Sequence, residues 1–68
     1  MFTIILTVST DFLATLRALA LELPQLGINT ARVQEVNFRP EVTEVEALHW
    51  VDNYIASGKY DKVELVRH

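Results

Sequence analysis

FTIILTVS, residues 2–9, is the stretch on which the fold turns. In an extended chain Phe2, Ile4, Leu6 and Val8 share one side, and Thr3, Ile5, Thr7 and Ser9 share the other. Strict alternation in a run rich in β-branched residues predicts a half-buried strand. The side carrying two threonines and a serine around Ile5 suits water or a weak apolar contact. The Phe2/Ile4/Leu6/Val8 side must find its cover elsewhere in the chain.

The cover follows at once. Ser9, Thr10 and Asp11 are successive candidates for a helix N-cap, each with a side-chain oxygen able to accept from a free backbone N–H. Over residues 12–23 the period becomes helical. Phe12, Leu16, Leu19 and Leu23 form the expected core stripe, with Leu13 and Ala20 beside it. Pro24 stops the helix and Gly27 marks the turn. On the opposite side Ala14, Ala18 and Leu21 recur at i, i+4 and i+7, and only Thr15, Arg17 and Glu22 interrupt the outer surface. Alanine is a good helix former and one exposed leucine is ordinary. The same stripe is also narrow enough for another helix or strand to approach closely, which makes these three residues candidates for partner binding.

Residues 30–39, TARVQEVNFR, predict a second strand in which the alternation slips. Ala31 and Val33 share one phase, Val36 and Phe38 the other. A bulge near Gln34 and Glu35 would restore one buried face; a flat strand with contacts on both faces would serve equally well. After Pro40 and Glu41, Thr43-x-x-Glu46 matches a capping box, with Val42 placed to staple onto Ala47. The helix should reach Ser57, with Gly58 as a left-handed cap. Ala47, Leu48, Val51, Tyr54 and Ile55 are its expected buried face, with Trp50 at the edge. Residues 61–67 predict a third strand, Val63 and Leu65 alternating with Lys62, Glu64 and Val66.

The order is β-α-β-α-β, an α+β class two-layer sandwich with a small three-stranded sheet and two helices on one face. The first strand–helix–strand unit reads as a right-handed parallel crossover. If residues 28–42 held two strands, the fold would be ferredoxin-like, with a fourth strand. Either way the other sheet face is open, carrying Thr3, Ile5, Thr7, Val33 and Val66. The sheet also has two free edges, and a homodimer could form through the open face or through an edge strand.

Composition bounds the function. The chain has 68 residues, a net charge of −3 and no cysteine. That length fits one domain, residues 1–68, near the lower limit for independent folding. Without cysteine there is no disulfide framework, thiolate metal site or thiol nucleophile. The acidic balance argues against a nucleic-acid partner, and the small basic cluster Lys59, Lys62, Arg67 and His68 has only Tyr60 among it. Asp11, Arg17 and Glu22 interrupt every window that could span a membrane. The apolar opening has neither a preceding positive charge nor a small-residue cleavage site. The expectation is a soluble, cytoplasmic protein with no membrane partner.

Catalytic chemistry finds few carriers. The only glycines are Gly27 and Gly58, so no glycine-rich phosphate loop exists. His68 reads as a frayed terminal residue. His49 shares a helix face with Glu46 and Asp52, and a Glu-x-x-His pair can hold metal in four-helix di-iron proteins. The matching ligands of other helices are missing here, so a solvated polar face is the plainer reading, with a divalent-metal site between two copies as the other. No catalytic residue, metal or cofactor is assigned, and the expectation is a non-enzyme.

Two further candidates point to a protein partner. Trp50 has the residue type that dominates interfaces, although it could also close the edge of the core. Glu41, Glu44, Glu46 and Asp52 lie in a stretch with no basic residue between Arg39 and Lys59. Acidic residues are stabilised at a helix start by the macrodipole; Glu44 and Glu46 are also placed to steer toward a basic surface on another protein.

Residues 43–67, TEVEALHWVDNYIASGKYDKVELVR, resemble the end of small phage inhibitors of host RNA polymerase. The likeness lies in a threonine-capped helix opening Glu-Ala-Leu, an aromatic within it, a glycine-containing turn and a last strand ending Val-Arg. It covers about a third of the chain, and the long apolar first helix departs from the pattern. The resemblance implies a compact phage-type protein that acts by binding a host protein, and it carries over no individual residue. Two readings stand: a small non-catalytic protein–protein interaction module, most sharply a phage-type modulator or inhibitor of a host protein, and a homo-oligomeric structural or accessory module.

Overall fold

A computed structural model describes all 68 residues. The elements follow the expected order: β1 (Phe2–Val8), α1 (Thr10–Glu22), a short 3-10 turn (Pro24–Leu26), β2 (Val33–Asn37), α2 (Glu44–Ala56) and β3 (Tyr60–Arg67). They form an α+β fold with a three-stranded sheet in the order β2-β1-β3 and both helices on one face. There is no fourth strand.

The strand directions correct one expectation. β1 pairs antiparallel with both neighbours, so the first strand–helix–strand unit is not a parallel crossover. Residues 9–31 leave the sheet and return to the same end of it, closed where Val8 N–H donates to the Arg32 carbonyl at 2.8 Å. The parallel pair is β2 and β3, one on each side of β1, joined by α2.

Cross-strand neighbours share a face in an antiparallel sheet. Ile4 stands opposite Val36 and Leu65, and Leu6 opposite Gln34 and Val63; this is the helix-covered side. Thr3, Ile5 and Thr7 stand with Asn37, Glu35 and Val33 on β2 and with Val66, Glu64 and Lys62 on β3. That is the open face, and the five residues expected on it are all there. β2 has no bulge. Gln34 keeps the helix-side phase despite being polar, because its amide donates to the carbonyls of Asn29 and Ala31 at 3.1 and 3.0 Å and so satisfies itself on the preceding loop. β2 is therefore the flat strand, with Val33 on one face and Val36 on the other. The irregularity lies between β1 and β3, where Thr7 pairs with Lys62 but Val8 with Tyr60.

The core is small: Ile4, Leu6, Val8, Leu13 and Ala47, with Thr3 the one buried polar residue. On α1 the buried line is rotated from the expected stripe by about 60°. Leu13 is its one buried side chain, Phe12, Leu16 and Ala20 are half-buried, and Leu19 and Leu23 are exposed. Leucines occupy two adjacent helix faces. The Ser9 cap, whose hydroxyl accepts from Phe12 N–H at 3.1 Å, fixes the start of the helix from which Leu13 turns inward. On α2, Ala47 is buried and Val51 and Tyr54 are half-buried, but Leu48 and Ile55 are 41% and 60% exposed. α2 lies over β3, and nothing beyond that edge strand covers this flank.

The caps behave as their chemistry dictates. Thr43 Oγ1 accepts from Glu46 N–H at 3.3 Å and donates to the Glu46 carboxylate at 3.1 Å. Gly58 takes φ +69° after α2, a left-handed conformation at which a side chain would be strained.

Candidate functional site

The residues singled out from the sequence separate into three places. Ala14, Ala18 and Leu21 form an exposed line along α1, about 80–140° around the helix from Leu13, and Leu21 is 85% exposed. Arg17 and Glu22 flank this line on its two sides, and neither makes an ion pair within the chain. Leu19, Leu23 and Leu26 add exposed apolar surface toward the end of α1 and the turn after it. The sequence reading placed Leu19 and Leu23 in the core. The rotated helix phase brings them out, and only the geometry of the Ser9 turn could have revealed that.

Trp50 and Glu46 lie one turn apart on one flank of α2. The Trp50 ring, in a residue 50% exposed, stands 6.1 Å from Tyr54 in a tilted contact. From there an aromatic chain runs into the core: Tyr54 meets Tyr60 edge-on at 5.5 Å, and Tyr60 meets Phe12 edge-on at 5.9 Å. Burial, with a smaller contribution from Tyr54, raises the Tyr60 hydroxyl above its usual pKa. This chain joins α1, α2 and β3, so Trp50 is the exposed end of a packed structural series.

Glu44 lies on the other flank of α2, where its carboxylate takes two hydrogen bonds from the Arg67 guanidinium of β3. Two residues apart on the helix, Glu44 and Glu46 face nearly opposite sides and do not form one acidic patch. The basic cluster is likewise dispersed. Arg67 is held by Glu44, Lys62 by Glu64, and the Lys59 ammonium sits 5.0 Å from the centre of the Phe12 ring. The Glu64 hydrogen bond, reinforced by its charge, raises the Lys62 pKa. Glu46, His49 and Asp52 are exposed and do not converge into a metal-ligand set.

His68 corrects the expectation of a frayed end. Its backbone N–H donates to the Met1 carbonyl at 2.9 Å, and its Nε2 lies 2.8 Å from Thr3 Oγ1. The threonine hydroxyl spends its one hydrogen on Asn37 Oδ1 at 2.8 Å, so Nε2 is the donor to it. Three strand ends are tied together on the open face by this network, which satisfies the hydroxyl of the buried Thr3. The surface has no pocket, and no helix is long and apolar enough to cross a membrane.

Comparison with protein-family models, with curated proteins and with solved structures finds no match to this chain.

Proposed function

We propose that this chain is a small non-catalytic protein-interaction module that contacts its partner through the outer side of α1, in the sharpest version as a phage-type modulator of a host protein in the cytoplasm. The observation that carries the reading is the Leu21 side chain, 85% exposed in line with Ala14 and Ala18. The two alanines let a partner's backbone come close, and burying Leu21 against it would contribute about 1.5–3 kcal/mol. Arg17 and Glu22, free of partners in the chain, are available to the rim of such a contact. Trp50 and Glu46 belong to a different helix and are a secondary contact in this reading; Glu44 is occupied by Arg67.

The test compares wild type with Leu21→Asp as affinity baits in host lysate, followed by calorimetric titration of the purified captured protein. The expected result is one protein bound by wild type and lost with Leu21→Asp, while circular dichroism shows both baits equally folded. Equal binding by the two baits, or capture of nothing by either, overturns the proposal.

A further inference from the structure

The edge formed by β3 carries an inference independent of the α1 face. The backbone bond from His68 N–H to the Met1 carbonyl makes Met1 and His68 a hydrogen-bonded pair. Hydrogen-bonded and non-bonded pairs alternate along an antiparallel ladder. Val66, Glu64 and Lys62 therefore direct their backbone groups at β1, while Val63, Leu65 and Arg67 turn their N–H and C=O outward, where no strand lies. From Lys62 to Arg67, beyond the irregularity at Tyr60, a strand without proline thus presents a free row of donors and acceptors, a template for another strand.

The side chains specify which strand. β3 laid antiparallel on a second β3 about Val63 sets Lys62 opposite the other copy's Glu64, twice, on the open face. A shift by one step of the ladder sets Glu64 against its own copy, and like charges directly opposite are destabilising. In the register about Val63, Lys62 and Glu64, already paired within each chain, each gain a second neighbour of opposite charge across the seam. The other edge offers less: β2 has five residues, and self-pairing about its centre sets Glu35 against Glu35.

The helix above β3 fits the same arrangement. Glu44 reaches Arg67 on β3, and Leu48 and Ile55 share the Glu44 flank of α2 by helical spacing. The Tyr54 side of α2 faces α1 through Tyr60 and Phe12, and the Leu48/Ile55 flank lies on the other side, exposed beside the β3 edge. Pairing two β3 strands would bring the two flanks together over a six-stranded sheet. The isolated chain is also under-packed. Its accessible surface is 4790 Å² where a compact protein of its mass exposes about 4,400 Å². Its radius of gyration is 13.1 Å against about 11 Å for its length.

The geometry points to a second copy of this chain as the occupant of the β3 edge, in a two-fold dimer centred on Val63 with paired Lys62 and Glu64. Sedimentation equilibrium from about 1 µM to 1 mM tests it, a range that covers weak strand-edge dimers. Wild type should reach twice its 7.8 kDa mass. Lys62→Glu and Glu64→Lys, both at exposed positions, should each remain folded by circular dichroism and weaken association at least tenfold. The double variant Lys62→Glu/Glu64→Lys should dimerise again, and an equimolar mixture of the two single variants should form a heterodimer. Leu21→Asp should leave the dimer unchanged, which separates this surface from the α1 face. Wild type monomeric throughout the range, single variants that dimerise as well as wild type, or a double variant that stays monomeric would each overturn the inference.

Discussion

Leu13→Ala tests how much of the anchoring of α1 rests on its one fully buried side chain. Leu13 is 5% exposed and is the only buried residue of the helix. Truncation to alanine removes the equivalent of about three methylenes, about 2.4 kcal/mol at about 0.8 kcal/mol each. The incompletely collapsed cavity brings the loss into the range of about 2–5 kcal/mol. A chain of this length has a total stability of about 3–10 kcal/mol, so the variant should lose at least about 8 °C of Tm, taking about 4–8 °C per kcal/mol. Thermal and urea unfolding followed by far-ultraviolet circular dichroism measure the loss. Leu21→Ala is the control: the same chemical change, two turns along at an 85% exposed site, should move Tm by little. A Leu21→Ala loss equal to that of Leu13→Ala would refute the helix phase and the α1 interaction surface with it. Because residues 9–31 close on themselves through Val8 and Arg32, Leu13→Ala should also release α1 before the sheet. Amide exchange along α1 should then accelerate more than exchange along β1.

Three further outcomes follow from local geometry. Thr43→Ala removes both halves of the reciprocal contact with Glu46 and should cost about 1 kcal/mol in urea unfolding. Gly58→Ala meets no neighbouring atom, so its φ of +69° is the only penalty; about 1 kcal/mol is expected, with Gly58→Asn losing less. Tyr60 holds its proton more tightly folded than unfolded, where the reference value is 10.0. Its stabilising contribution is therefore complete below about pH 10 and is lost as pH rises through the raised folded value. Tyr60→Phe should flatten the alkaline limb of a stability–pH curve.

Element identity was legible because each element announces itself locally. β1 alternates without interruption, Ser9 and Thr43 are caps of the expected type, and Gly27 and Gly58 both take positive φ. The open face could be listed from strand parity alone. Three things were hidden. The direction of β2 relative to β1 depends on where the chain between Leu23 and Arg32 leads, which no residue pattern encodes. The polar residue in the core phase of β2 reads as a bulge until Gln34 is seen bonding the loop behind it. Leucines on adjacent faces of α1, and an α2 flank beyond β3, leave burial to tertiary placement; Leu19, Leu23, Leu48 and Ile55 were misassigned for that reason. Among the candidate residues, Ala14, Ala18 and Leu21 lie together as spacing required. Glu44 and Glu46, two residues apart on α2, face nearly opposite sides by helical spacing, which the sequence already held; what it did not show is that Arg67, from the far end of the chain, occupies Glu44.

The position of β1 in the middle of the sheet bears on synthesis. On the ribosome β1 emerges before either strand that will flank it, and its pairing with β2 becomes available about midway. Ile4 must wait for Leu65 and Leu6 for Val63, contacts that span nearly the whole chain. Non-local pairing of this kind slows folding, since loop closure precedes its reward. Until β3 is released, the most apolar strand of the molecule has one unsatisfied side. During that interval a nascent chain of this protein is most exposed to capture by chaperones, or by a neighbouring nascent copy.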